Sequence, residues 1–289
     1  MSLKSNGIVI EAPAKVNLFL DITGRLQNGY HTLNTVMQQI SLADSVEITA
    51  EQGDGCVIQC SNSAIPCDER NIAFKACKMF MGVVGEKAKI TVAIHKRIPV
   101  EAGLGGSSTD GAAVLRGLNI LYGRPLSLQQ LCEIGASLGA DVPFCLTGGT
   151  AICTGIGDKC KRIPTPENLF FVIIKPDFAN NTSKAYRLYD QKPLPVNQDF
   201  ADFVSLLEKG ERDTLAGKMY NVFQRLYSDG RVEKIAMDLL EAGAKGACMS
   251  GSGSAVFGVF DSEKAAELAA EKLSYNNKYT AKASQGLQL

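Results

Sequence analysis

Three short runs hold the residue types best suited to chemistry. The first is Pro99-Val100-Glu101-Ala102-Gly103-Leu104-Gly105-Gly106-Ser107-Ser108-Thr109-Asp110. It follows a strand-like run, Ile90 to Ile94, and opens a helix-like one in which Ala112, Leu115, Leu118 and Tyr122 recur at helical spacing. A glycine-rich turn feeding a helix start presents unpaired backbone N–H groups and the positive end of the helix dipole, so it suits an anion, with phosphate first. No Lys-Ser or Lys-Thr follows its last glycine, so it is not a Walker A loop. Ser108 stands where Gly-x-Gly-x-x-Gly needs its third glycine. A plain cap, with Ser107 as N-cap and Asp110 three residues on, accounts for the same residues and also leaves the helix end open.

The second run pairs two distant segments. In Ala12-Pro13-Ala14-Lys15-Val16-Asn17-Leu18, alternation places Lys15 and Asn17 on one face, opposite Ala14, Val16 and Leu18. Taken alone, that face is the solvated side of an edge strand. In Gly139-Ala140-Asp141-Val142-Pro143-Phe144 the apolar surroundings make an unpaired carboxylate costly. Taken alone, Asp141 is an aspartate in a turn before proline. A lysine within reach would keep it ionised and orient it. The chain has only two histidines, His31 and His95, so a carboxylate is the better candidate to take the proton of an attacking alcohol. The third run, Cys248-Met249-Ser250-Gly251-Ser252-Gly253-Ser254, interrupts two strand-like stretches without forming a Gly-x-Ser-x-Gly elbow. A hairpin turn explains it, but so many small residues also allow close backbone approach to a ligand.

The elements that must position these runs alternate between strand and helix signals. Strands are expected over 16–22, 35–42 and 46–50, with a turn at Asn28-Gly29, and helices over 71–84, 109–121 and from Ser127 to Gly139, where Gln130 completes a capping box. A break at Pro164-Thr165-Pro166 divides the chain into units 1–163 and 164–289. The second unit predicts a strand at 169–174, helices around 200–207 and 232–240, two strands within 247–260, a helix over 263–273 and a last strand at 279–283.

Composition narrows the class. Lys plus Arg equals Asp plus Glu at 30 each, which argues against a protein that coats nucleic acid or an anionic membrane. Nine cysteines without Cys-x-x-Cys, and no secretory signal at the start, fit free thiols in the cytoplasm. No apolar run reaches the length of a membrane span. With two histidines at unrelated positions, a His-based zinc site is not expected.

In their order along the chain, Pro13-Ala14-Lys15-Val16-Asn17-Leu18, the loop from Pro99 to Ser108 and Met249-Ser250-Gly251-Ser252-Gly253 resemble the three motifs of the GHMP kinases, the superfamily of galactokinase, homoserine kinase and mevalonate kinase. Asn28-Gly29-Tyr30-His31 and Gly139 to Phe144 most closely resemble the members acting on a cytidine diphosphate-linked methylerythritol. The resemblance implies an α+β fold of two domains. The first would be an ATP-binding domain like a ribosomal protein, the second a ferredoxin-like domain completing the substrate site. It implies Asp141 as base, Lys15 as its partner and Asn17 beside the reacting hydroxyl. Tyr30 would stack on cytosine, His31 would bond its edge, and Tyr186 would supply a second aromatic. Asn71 and Lys96 would lie at the nucleotide, with Gly103, Leu104, Gly105, Gly106, Ser107, Ser108 and Thr109 wrapping its phosphates. ATP and Mg²⁺ are implied; Ser108, Thr109 and Asp110 are candidates for the metal, whose ligands stay unassigned. The chain departs from the family pattern at Ser107 for glycine, Thr109 for serine, Gly111 for alanine and Asn28 for aspartate. A kinase for mevalonate, homoserine or a sugar, a non-catalytic nucleotide binder and an RNA-binding module stay open, as do monomer and homodimer.

Overall fold

Two long strands joined by a tight turn form the spine of the molecule, β1 (Gly7–Arg25) and β2 (His31–Glu51), paired antiparallel along almost their whole length. The computed structural model describes residues 7–227 and 229–286; the first six residues of the expected 1–163 unit and the last three of 164–289 lie outside them. Around the spine a seven-stranded sheet runs β3-β4-β2-β1-β8, from β3 (Gly55–Cys60), β4 (Lys89–His95) and β8 (Tyr220–Asn221). β5 (Thr150–Thr154) pairs with the first half of β2 and carries β6 (Lys159–Ile163). A second, four-stranded antiparallel sheet runs β11-β7-β10-β9, from β7 (Phe170–Ile174), β9 (Gly246–Met249), β10 (Val256–Phe260) and β11 (Lys278–Lys282).

Helices α1 (Ile72–Val84), α2 (Gly106–Leu121), α3 (Leu128–Leu138) and α4 (Val142–Thr147) share one apolar core with the first sheet. In the second half follow α5 (Thr182–Gln191), α6 (Phe200–Lys209), α7 (Arg212–Gly217), α8 (Val222–Leu226), α9 (Arg231–Glu241) and α10 (Glu263–Lys272). Together this is a mixed architecture of sheets with helices segregated against them.

The strands expected at 35–42 and 46–50 are one continuous β2. Its partner changes along its length, from β5 at residues 35–38 to β4 at 45–51, and Asp44 marks the crossover. The solvated edge expected for Lys15 and Asn17 does not exist. β1 lies between β2 and β8, and residues 12–22 are all buried. Two register shifts, between Pro13 and Lys15 and between Asn17 and Phe19, bracket the polar pair; such bulges twist a strand and re-aim its side chains.

α2 begins earlier than the expected 109. Its N-cap is Gly105, left-handed at φ 72°, and no side chain caps it, so Ser107 is not the cap. The expected capping box of Ser127 and Gln130 is present on α3. Gly111 lets α2 press against α1, since a Cβ there would lie 2.5 Å from Ile72 Cγ2. Gly111→Ala alone is therefore expected to cost about 1–3 kcal/mol by overpacking. Most of that loss should vanish in a background where Ile72 is already alanine, measured as a double-mutant cycle by urea unfolding.

Candidate active site

The buried stretch of β1 supplies an ammonium and an amide to a cavity of about 940 Å³. Lys15 is only 4% exposed and its Nζ lies 3.4 Å from Asp141 Oδ2. Asp141 lies in a turn before proline, as its surroundings in the sequence suggest, and it has a partner there. It stands at the start of α4, makes no capping bond to the helix, and Pro143 sits in the first turn where a missing N–H costs nothing. Its carboxylate is thus held by Lys15 while about a third of the side chain stays open to the cavity.

Asn17 fixes Lys15 in turn. Its Oδ1 accepts from Lys15 Nζ at 2.7 Å and from the Gly251 amide at 3.0 Å, and its Nδ2 donates to Thr35 Oγ1 at 2.9 Å. The Thr35 hydroxyl donates to Phe19 O at 2.7 Å, which settles the amide's orientation. Both ends of Asn17 are engaged within the protein.

The glycine turn is built against this pair. The Lys15 amide donates to Leu104 O at 3.0 Å, and a Cβ on Gly105 would meet Lys15 Cγ at 3.0 Å. The loop after β9 closes on the turn's other side. Ser250 Oγ donates to Gly103 O at 2.9 Å and accepts from the Asn17 amide at 3.3 Å, while the Ala255 amide donates to Ala102 O at 3.0 Å. Gly103, at φ +75°, leaves room for this contact: a Cβ there would lie 2.1 Å from Ser250 O. Thr109, buried, donates its hydroxyl to Pro13 O at 2.8 Å and so anchors α2 to β1. The first-turn amides of Gly106, Ser107 and Ser108 have no helical partner, and all three residues line the cavity.

Beneath the turn, Lys96 Nζ bridges Asp44 Oδ2 and, at 2.7 Å, Asp110 Oδ2. Burial works against the ammonium, but Asp110 and Asp44 together hold its pKa above the ordinary value. Asp44 also accepts the Arg97 and Ile98 amides at 2.5 and 2.8 Å. Burial pushes Asp110 up to about 7 against the pull of Lys96, and its Oδ1 is buried with no hydrogen-bond partner. Asp110 is therefore not a helix cap. Asn71 spends its side chain locally, accepting from the Ala73 amide at 2.9 Å and donating to Pro66 O at 2.8 Å, while lining the same cavity as Lys96.

At the other end lies an aromatic wall. His31, buried at the start of β2, stacks on Tyr186 of α5 with centroids 4.9 Å apart, and Tyr186 packs edge-on to Phe223 at 5.0 Å. His31 Nε2 lies 2.7 Å from Asp190 Oδ1, and Arg25 reaches the other oxygen at 3.5 Å. Tyr30 is 60% exposed and lines the cavity beside them.

All residues expected at the site from sequence, except buried Thr109, line one cavity. Sequence reasoning missed Thr35, Asp44 and Asp190, the partners that orient Asn17, Lys96 and His31. Among the described residues no group of three or more His, Cys, Asp or Glu could hold a metal ion.

Known proteins resemble this chain in sequence and in fold. Residues 71–149 match the GHMP kinases N terminal domain and residues 203–278 the GHMP kinases C terminal. The chain is 42% identical to the 4-diphosphocytidyl-2-C-methyl-D-erythritol kinase of Carboxydothermus hydrogenoformans, across 90% of this chain and 91% of that protein. It is 40% identical to that of Syntrophomonas wolfei, across 92% and 93%. A crystal structure of 4-(cytidine 5'-diphospho)-2C-methyl-D-erythritol kinase superposes with a TM-score of 0.82 at 30% identity, covering 96% of this chain and all of the other. Homoserine kinase from Cytophaga hutchinsonii shares the fold, with a TM-score of 0.78 at 19% identity over 99% of this chain and 98% of its own. With the glycine turn, the ammonium–carboxylate pair and the closing serine–glycine loop in one cleft, this chain belongs to the 4-diphosphocytidyl-2-C-methyl-D-erythritol kinase family of the GHMP kinases.

Proposed function

We propose that the chain transfers the γ-phosphoryl group of ATP to the 2-hydroxyl of 4-diphosphocytidyl-2-C-methyl-D-erythritol, a step of non-mevalonate isoprenoid precursor biosynthesis. The observation that carries the mechanism is the Lys15–Asp141 contact of 3.4 Å beside the glycine turn. Asp141 takes the hydroxyl proton as the oxygen attacks the γ-phosphorus. Lys15, aimed by Asn17, keeps the carboxylate ionised and offsets charge on the transferred group. The amides of Gly106, Ser107 and Ser108 stabilise the phosphoryl oxygens, and such positioning and electrostatics are most of what phosphoryl transfer asks of a protein.

Mg²⁺ bound with ATP would neutralise charge between the β- and γ-phosphates. Asp110, with its unpartnered buried Oδ1, and the Ser108 hydroxyl fit such an ion as oxygen ligands. The division of labour in this reading gives nucleotide phosphates to 1–163 and closure of the substrate end to 164–289, through Tyr186 and Asp190, while Ser250 of the second unit braces the glycine turn.

The aromatic end suits a cytosine. A carboxylate only accepts, so the proton between them sits on His31 Nε2, and in the tautomer this reading takes Nδ1 is left as an acceptor. That acceptor matches the cytosine 4-amino group, while exposed Tyr30 offers its ring face. Tyr30→Ala is expected to raise KM for the cytidine substrate about tenfold or more, from lost stacking, with kcat nearly unchanged. Steady-state kinetics check this; a fall in kcat at constant KM contradicts the assignment. The reaction itself is tested by offering ATP with the cytidine substrate, mevalonate and homoserine side by side and following the phosphorylated product by mass. Preference for either of the latter two overturns the reading.

A small-molecule substrate in the cytoplasm is the setting this proposal takes. It rests on the balanced charge and on cysteines that are all free among the described residues; no described helix is long and apolar enough to cross a membrane.

A further inference from the structure

A second cavity, of about 320 Å³, opens on another part of the surface and shares no lining residue with the catalytic cleft. It lies where the start of β1, the second half of α2 and the first turn of α3 meet. Its floor is a buried arginine. Arg116 is 7% exposed, its Nη2 donates to the Glu11 backbone oxygen at 2.7 Å, and no described carboxylate forms an ion pair with it. A guanidinium carries five N–H donors, and one carbonyl occupies a single one. Burial pushes its pKa down to about 10, the mark of a cation set among apolar groups without a counter-ion.

Arg124 lines the same cavity from an exposed left-handed position at φ 63°. Asn119 adds no competing acceptor, because its amide is closed on the Leu126 backbone at both ends, at 3.0 Å each. The walls are apolar and partly wet: Val9 is 62% exposed and Leu128 37%. The only carboxylate among the lining residues is Glu11, exposed at the rim.

We propose that this cavity is a second binding site, for a small anion carrying an apolar body. A phosphate or carboxylate head would pair with the forked donors of Arg116 and with Arg124, and a short hydrocarbon would cover Val9 and Leu128. The site lies about ten residues along α2 from the glycine turn, roughly 15 Å on a helical rise, so its occupancy does not depend on the assignment of the catalytic substrate.

Octyl phosphate and octanoate are the probes, with octanol and inorganic phosphate as tail-only and head-only controls. The full chain is first saturated with a non-hydrolysable ATP analogue, so that the catalytic cleft is filled. Methyl chemical shifts of Val9, Ile120, Leu126 and Leu128 report binding. Saturable shifts are expected with at least one charged probe, at least tenfold tighter than with either control, and comparison of the two heads tells phosphate from carboxylate. Arg116→Gln should weaken binding tenfold or more. Glu11→Gln, an exposed change that keeps the backbone oxygen, should tighten it about threefold by removing the rim charge. If no charged probe saturates these methyls, or if Glu11→Gln and Arg124→Ala both leave affinity unchanged, Arg116 is only a strut tying α2 to β1 and the proposal fails.

Discussion

Replacing Asp141 by asparagine lowers kcat about 10²–10⁴-fold, the range expected for loss of a general base, while the dissociation constant for ATP changes only a few-fold. Asparagine keeps the shape and the reach to Lys15 but cannot take a proton at neutral pH. On the proposed reading the nucleotide is gripped elsewhere, by the amides of the glycine turn, so its binding is expected to be spared. Lys15 also keeps its bond to Asn17 at 2.7 Å, which limits the cost of the lost counter-charge. Single-turnover kinetics and calorimetric titration with ATP separate the two effects. A variant turning over within tenfold of the parent removes Asp141 from the role of base.

Gly103→Ala is expected to be the most damaging exchange outside the reacting pair. The residue sits at φ +75°, and a methyl there would lie 2.1 Å from the Ser250 backbone oxygen, which cannot move like a side-chain tip. Left-handed strain of about 1–2 kcal/mol adds to overpacking of about 1–3 kcal/mol. The total corresponds to a fall in Tm of roughly 5 °C or more. Activity should fall further than stability, because displacing Ser250 also releases the Asn17 amide and Oδ1 from the loop that holds them. Gly210→Ala is the matched control: it has a similar φ of +71° but open space around the added methyl, so it should lose only the strain. Equal losses in the two variants would show that the close approach to Ser250 carries no weight.

The parts legible in the sequence were those whose signal is local. The glycine turn follows a strand and opens a helix, the capping box lies within four residues, and the alternation of Lys15 with Asn17 survives in a short window. The burial of that pair was not legible, because an apolar-polar alternation looks the same at an edge and in the centre of a sheet; at Lys15 and Asn17 the far edge of β1 is closed by the glycine turn and the Ser250 loop, which only the tertiary fold places there. Lys96 shows the limit most clearly. It lines the cleft, yet its charge is committed to Asp44, 52 residues away in sequence, and to Asp110. α5, which carries Tyr186 and Asp190, was not expected from the sequence: it is short and predominantly polar, with only Ala185 among its residues buried. The run holding Ser250 was singled out, but its pairing with Asn17 was not legible, because the two residues lie 233 positions apart.

The Ser250 hydroxyl touches both Asn17 and Gly103, so the phosphate cradle is sewn from three stretches that leave the ribosome at very different moments. A nascent chain that has emerged only as far as α9 already contains Asp141, Lys15 and the glycine turn, yet lacks the stitch that sets their spacing. Under the proposed function, competence to spend ATP therefore arrives late in synthesis, once residues 242–289, about the last sixth of the polypeptide, have docked.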